Sequence, residues 1–456
     1  MDTILENFKQ PEILLKLPCF MMKTFAQNKE FFGRQEILEQ MRKALIPSGP
    51  PIASGEPGAL RSVVLFGHGG FGKSEIAVQF AFCCKESFDA VFWIRAEDVT
   101  KLDNDFRDIS ISLGLQDSKT SQNPVITRNM VKEWLSNPRK ILHPKDDQDS
   151  VTESVTWLLV FDNADDRSIL RDYIDDINGS GSIIITSRDP AAKDLFIDNC
   201  LSLEVVKFGV DEGVEFLQSQ SHRTADMSDV CRQIVEYHDG HPLALAQIAG
   251  FLQHEYLSYR DILQYLEDPM EKALLYDHKF GIKKTARGTT ASLLAMGMEH
   301  LPRESRELLE LMSFLDPDRV QENVLQKQYV PASKYHQARK YLLQTSLIRR
   351  NEHREELWMH RVDQAAIKES MSMECRTSTF CTALRLIKDA WPTVPYRARH
   401  QVQRWPRCEA LFPHVEVLQE YYDGTLKSLD ADVEMTLAEL AQEAAWCAKF
   451  LFGHDL

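Results

Sequence analysis

The chain has nine cysteines but no C-x-x-C pair and no Cys/His cluster at zinc spacing, which removes a zinc module and a disulfide framework. That usage suits reduced thiols and predicts a cytoplasmic protein, with Cys83 and Cys84 read as small core residues. No run of about 18 uninterrupted apolar residues occurs, so no segment reads as a membrane span. The apolar stretches Ile13–Cys19 and Phe20–Met22 follow no basic n-region, which argues against a signal peptide. Nor is there a basic surplus. A formal net charge of −15 disfavours a broad nucleic-acid or anionic-membrane surface. The 43% hydrophobic and 27% charged content is that of an ordinary globular protein, and 456 residues exceed one core, so two to four domains are expected.

One stretch dominates what is present. Arg61–Phe80, RSVVLFGHGGFGKSEIAVQF, fits G-x-x-x-x-G-K-[ST] with Gly67, Gly72, Lys73 and Ser74. Val63–Phe66 is an apolar, β-branched run that reads as a buried strand. Gly67, Gly69, Gly70 and Gly72 let successive backbone N–H groups turn inward as an anion nest. Lys73 is then placed to reach β/γ-phosphates, and the Ser74 hydroxyl to complete a Mg²⁺ shell. A helix beginning near Lys73 aims its positive end at the same anion. The alternative, a glycine-rich turn that binds nothing, leaves the filled anchor positions unexplained. The expected ligand is ADP or ATP with Mg²⁺.

Further strands follow at Ala90–Ile94, Trp157–Phe161 and Ser182–Thr186, with another at Leu203–Val206. Helical spacing between them, at Leu102–Leu115 and Asn129–Leu135, predicts a parallel α/β sheet. Residues 45–60 read as a loop, and 136–154 turn polar, with KDDQDS at 145–150 an exposed loop. Ligand chemistry belongs at the strands' C-terminal ends, where the Gly67 loop, Asp162 and Arg188 fall. From Asp211 the strand signals stop and a small helical bundle is expected to 280. Residues 285–370 add helices and then SLIRR-NEHREE-LWMHR, two short β-like runs around a polar turn, the pattern of a winged-helix module. From 380 the chain is helical again.

Asp162, at the end of WLLVF, is the expected Mg²⁺ carboxylate opposite Ser74, although an Asp after a strand is commonly a helix cap. The next residue, Asn163, cannot take a proton as a carboxylate would, so hydrolysis is expected to be slow or assisted by Asp165 or Asp166. Arg188 reads as a γ-phosphate sensor, against the alternative of a surface arginine paired with Asp189.

These blocks, in this order, resemble the NB-ARC family of STAND signalling ATPases, found in plant disease-resistance proteins, animal apoptosome proteins and fungal immune-type receptors. FFGR is similar to the family's opening motif, which implies Phe32, Gly33 and Arg34 near the adenine. GHGGFGKS resembles its P-loop, implying nucleotide contacts from Gly67, Gly69, Gly70, Phe71, Gly72, Lys73, Ser74 and the following Glu75. WLLVFDNADD resembles its Walker B strand and SIIITSRD its sensor strand, so Lys73, Asp162 and Arg188 are the implied catalytic group. GHPLALAQIAG resembles the GLPL motif, implying Pro242 as an adenine contact. WMHRVDQ resembles the MHD motif, implying His360 at the ADP β-phosphate. Asn163 and Arg361 depart from the family's usual acids. The tail resembles the approach to a tetratricopeptide array and ends after one helical unit. With no counterpart of the N-terminal effector domain, the chain reads as a fragment or a reduced paralogue.

The expected architecture is therefore a lead-in at 1–29, an α/β nucleotide domain at 30–210, a helical subdomain at 211–284, a winged helix at 285–372 and an all-α tail at 380–456. The resemblance implies an ADP/ATP switch, at most a slow ATPase, with an ADP-bound off state and an ATP-bound state competent to self-oligomerise and engage protein partners in fungal cell-death or immune-type signalling. A turnover ATPase and a DNA-binding winged-helix regulator are the alternatives.

Overall fold

The computed structural model describes residues 17–22, 27–46, 60–116, 123–142, 151–177, 181–195, 200–222, 228–253, 258–267, 301–345, 347–351, 355–394, 401–425 and 429–452. The chain divides into two compact units, Met1–His68 with Gly72–Val205, and Gly69–Phe71 with Val206–Leu456.

The first unit is built on a six-stranded parallel sheet. Its strands are β1 (Cys19–Met21), β2 (Arg61–Phe66), β3 (Ala90–Arg95), β6 (Trp157–Asp162), β7 (Ser182–Ser187) and β8 (Cys200–Glu204), in the order β1-β3-β6-β7-β2-β8. Every residue of β3, β6 and β7 is buried. This is why these strands read as continuous apolar runs rather than alternating ones: a parallel sheet has both faces covered. Helices α1 (Gln35–Leu45), α2 (Lys73–Cys83), α3 (Val99–Leu113), α4 (Pro124–Ser136) and α5 (Arg167–Ile174) provide the cover. Capping marks several of their starts, with Asp98 accepting from Lys101 N and Asn123 from Val125 N, ahead of Pro124 at the first helical position.

Several expectations change here. The lead-in contributes a strand that was not expected: β1 lies at the sheet edge parallel to β3, with Phe20 opposite Val91. Three residues are too few for periodicity to reveal them. Within the polar 136–154 stretch, β4 (Arg139–Leu142) runs antiparallel to β5 (Val151–Ser154), a pair the sequence did not reveal; the loop expected at 145–150 lies outside the described residues, as does most of the 45–60 loop. Cys84 is buried, but Cys83 is exposed on the outer face of α2.

The second unit opens with α6 (Val210–Ser221), α7 (Ser228–Tyr237), α8 (Pro242–Gln253) and α9 (Tyr259–Glu267). Gly213 permits the close approach of α6, since a Cβ there would meet Val235 at 2.6 Å. After the undescribed 268–300 come α10 (Arg303–Ser313), β9 (Val320–Gln321), α11 (Glu322–Leu325), α12 (Ala332–Gln344), β10 (Ile348–Asn351) and β11 (Glu356–Met359). The strands form a three-stranded antiparallel sheet in the order β10-β11-β9. Buried Glu322, immediately after β9, accepts from Arg339, Arg350 and the Tyr335 hydroxyl. Helices α13 (Arg361–Ser370), α14 (Met373–Ala390), α15 (Trp405–Thr425) and α16 (Ala431–Phe452) complete the unit, sharing one apolar core with the three-stranded module.

Candidate functional site

The loop between β2 and α2 is shaped by glycines at positions that other residues resist. Gly67 has φ 144°, and a Cβ there would lie 2.4 Å from the Val205 carbonyl oxygen. Gly72 is left-handed at φ 91° and serves as the N-cap of α2 with no atom within 4 Å of an added Cβ. Its constraint is conformational, and it leaves the backbone at the helix's positive end open to an anion.

Lys73 turns back over this loop. Its Nζ donates to the Gly67 and His68 carbonyl oxygens, both at 2.8 Å. Burial lowers its pKa to about 8, opposed by the charges of Asp165 and Asp162, while Arg188 pushes in the same direction as burial. An anion in the loop would add further countercharge to this largely buried ammonium.

Asp162 closes the other side. Its Oδ1 accepts from the Ser74 hydroxyl at 2.6 Å and from the Thr186 hydroxyl at 2.5 Å. Asp162 is not a helix cap, since α5 is capped by Asp166, which accepts from Ser168 N and Oγ. Thr186 is a partner that sequence reading missed. It lies inside the SIIITSRD run, where only the register of β7 beside β6 reveals that it reaches Asp162. Thr186 Oγ1 also accepts from Asn163 N at 2.9 Å, fixing Asn163 in the left-handed region at φ 60°.

Arg188 does not pair with Asp189. Its backbone N–H and Nε donate to the Asp165 carboxylate at 2.6 and 2.5 Å, and its side chain remains 59% exposed. Asp189 instead meets Arg167 at 3.2 Å and accepts from Ala191 N. Asp165 is therefore engaged in positioning Arg188, and Asp166 in capping a helix. Ahead of α1, Gly33 and Arg34 both adopt positive φ, 66° and 61°, with Phe32 half-buried beside them. The preceding turn is tied to α2 by a hydrogen bond from Asn28 Nδ2 to the Glu75 carboxylate at 3.2 Å.

Within the second unit, the loop tip Gly69–Phe71 meets the start of α8. Leu243 N donates to the Gly70 carbonyl oxygen at 3.2 Å, and the Phe71 and His241 rings meet edge-on at 5.2 Å. A Cβ on Gly70 would lie 2.5 Å from His241 Cε1. Pro242 is buried at the first position of α8. His360 is exposed between β11 and α13, and Arg361 after it pairs with Asp318 at 2.6 Å. Two positions further on, Asp363 is fully buried and accepts from Gln247 Nε2 at 2.9 Å.

The residues present fit a Mg²⁺–nucleotide. Among the described residues no group of three or more His, Cys, Asp or Glu side chains could cage a metal. Mg²⁺ needs no such cage: it keeps several waters and takes one or two protein oxygens plus phosphates. Ser74 and Asp162 offer that oxygen pair, and Mg²⁺ bound there would neutralise phosphate charge.

Parts of the chain resemble known proteins in sequence and in fold. A family model described as a domain of unknown function (DUF7779) matches residues 296–376, the span of the three-stranded module and α13. A nucleotide-binding leucine-rich repeat (NLR)-like protein from Hyaloscypha variabilis is 26% identical over 274 residues, covering 53% of this chain. The match spans about a quarter of that relative's length, 24%. Among solved structures, a signal transduction ATPase with numerous domains (STAND) with a tetratricopeptide repeat sensor, from Pyrococcus horikoshii, aligns at TM-score 0.50 and 13% identity. That alignment covers 94% of this chain and 55% of the other, and it speaks to fold alone. Cdc6p from Pyrobaculum aerophilum aligns more loosely, at TM-score 0.38 and 13% identity over 76% of this chain and 97% of its own. In sequence, over part of its length, the chain is similar to the NLR-like protein, and in fold it resembles a STAND ATPase.

Proposed function

We propose that the chain is a nucleotide-gated switch of the NB-ARC type, working in the cytoplasm in fungal immune-type or cell-death signalling. ADP bound at the β2–α2 loop holds an off state, and ATP in its place permits self-oligomerisation and engagement of protein partners. The observation that carries the reading is the convergence of Lys73, Ser74 and Asp162: a buried ammonium over the loop carbonyls, with a hydroxyl and carboxylate paired at 2.6 Å beside it. Arg188 acts as the γ-phosphate sensor, oriented by Asp165. Phe32, Gly33, Arg34 and Pro242 flank the adenine, and His360 touches the β-phosphate of ADP. A nucleotide shifts the balance only through its different affinity for the two states.

We further read α10 to β11 as a winged helix used for contacts within the protein, and the last helices as the start of a tetratricopeptide-like array. What supports an internal role over DNA recognition is the use of Arg339 on α12 and Arg350 on β10 to neutralise buried Glu322, which withdraws them from any phosphate backbone. Domain boundaries at 30–210, 211–284 and 285–372 follow from the same reading. No described helix is long and apolar enough to cross a membrane.

The test is the identity of the nucleotide retained by protein purified without added nucleotide, denatured and analysed by chromatography. Near-stoichiometric ADP, lost in Lys73→Ala and reduced in His360→Ala, is the expected result. An empty site with rapid ATP turnover would replace this reading with a turnover ATPase.

A further inference from the structure

Hydrolysis requires an acceptor for a proton of the attacking water, and Asn163, which follows the Mg²⁺ carboxylate, cannot serve. Asp165 and Asp166 are both engaged, one holding Arg188 and the other capping α5. A different carboxylate lies on the neighbouring strand. β3 runs parallel to β6 with Arg95 opposite Asp162, and Ala96 N donates to the Asp162 carbonyl oxygen at 2.8 Å. Glu97 therefore leaves the sheet at the same C-terminal edge as Asp162 and Asn163. Asn163, turned by its left-handed backbone, donates from Nδ2 to Glu97 Oε1 at 3.0 Å.

The position of Glu97 is tightly fixed. The Glu97 side chain is 14% exposed and pairs with Lys101 Nζ at 3.0 Å, one turn into α3. Just before it, Arg95 grips Asp105 of α3 through Nε and a terminal nitrogen at 3.1 and 3.0 Å, and its backbone N–H donates to the same carboxylate. These contacts hold the end of β3 against α3. A plain structural ion pair would need only Lys101. The amide of Asn163 adds a link from Glu97 to the residue beside the Mg²⁺ carboxylate.

We propose that Glu97 is the water-activating carboxylate of this site, with Asn163 as its positioning residue, so that acid and amide occupy adjacent strands. The proposal rests on the nucleotide-switch reading above. In the step, a Glu97 oxygen takes a proton from water as the new O–P bond forms at the terminal phosphorus. The bond from that phosphorus to the bridging oxygen breaks, its electron pair leaves with the nucleoside diphosphate, and the proton passes to phosphate or solvent.

The test uses the full chain loaded with ATP in a single turnover, with equilibrium affinities for ADP and a non-hydrolysable ATP analogue measured alongside. Wild type is expected to cleave slowly. Glu97→Gln is expected to slow cleavage about 100-fold or more, with both affinities within about twofold and ATP rather than ADP recovered from purified protein. Glu97→Asp should restore part of the rate. Asn163→Ala, which leaves the Glu97–Lys101 pair intact, should lower the rate of cleavage without changing affinity, and it decides the matter if Glu97→Gln does not fold. An unchanged rate in the folded Glu97→Gln variant, or in Asn163→Ala when Glu97→Gln does not fold, overturns the proposal, as does a wild-type chain that binds ATP without cleaving it. A wild type that binds neither nucleotide, with Lys73→Ala indistinguishable from it, removes the switch reading itself.

Discussion

Asp363 offers a sharp test of the energetics of the second unit. It is 0% exposed at the start of α13, and its Oδ1 accepts from Gln247 Nε2 on α8. Its other oxygen, and Gln247 Oε1, have no hydrogen-bond partner among the described residues. Burial raises the Asp363 pKa to about 7, against the weaker opposing effects of the Gln247 hydrogen bond and the Arg349 charge. A protonated carboxyl would donate to Gln247 Oε1 and complete a two-point pair; an ionised one leaves both oxygens wanting. Asp363→Asn supplies the missing donor permanently, without charge. The distance from 3.8 to about 7, at ~1.36 kcal/mol per pH unit, is on the order of 4 kcal/mol. Relaxation and water entry reduce this, so a gain of about 1–4 kcal/mol is expected at pH 8. The sign follows from linkage. A raised folded pKa means that the folded chain holds the extra proton between about pH 4 and 7, so wild-type stability falls across that window and is flat above it. The variant's advantage should therefore be present at pH 8, shrink below pH 7 and vanish near pH 4. Urea unfolding at pH 5, 6.5 and 8, read by hydrogen exchange of peptides from 242–253 and 361–370, measures it locally. A pH-independent difference, or a destabilised variant at pH 8, would refute the account of this pair.

Two further outcomes follow from the same kind of reasoning. Burial raises the Glu322 pKa, but hydrogen bonds and charge from Arg350 and Arg339 outweigh it, so its carboxyl stays below the usual range. Glu322→Ala removes the buried carboxylate that the Arg339 and Arg350 guanidiniums share and should cost about 3–5 kcal/mol near pH 7, an effect that fades as pH drops below 4.5 and is measurable by urea denaturation. Gly67→Ala places a methyl 2.4 Å from the Val205 carbonyl oxygen at a φ of 144°. Strain of at least about 1–3 kcal/mol and loss of bound nucleotide are expected, read by thermal melting and nucleotide content; an undisturbed, fully loaded variant would show that the loop relaxes.

Some of this was legible in the residues themselves. Val63–Phe66, Ala90–Ile94, Trp157–Phe161 and Ser182–Thr186 announce strands because burial on both faces of a parallel sheet demands unbroken apolar runs. The glycines, Lys73 and Ser74 are equally plain, because backbone geometry and phosphate chemistry restrict those positions to few residue types. The short strands β1 and β9 were not legible, since two or three residues carry no period and exist only by pairing with β3 and β11.

What the sequence determined, then, was the local part: which stretches bury themselves, where an anion-binding loop forms and which residues it carries. Tertiary structure alone decided the partners. Arg188 adjacent in sequence to Asp189 pairs with Asp165 across a strand boundary, Glu97 meets Asn163 through strand register, and Asp363 meets Gln247 across 116 positions. Such pairings depend on which strands and helices become neighbours. Neighbourhood is set by the packing of the whole unit and leaves no periodic trace in any one segment.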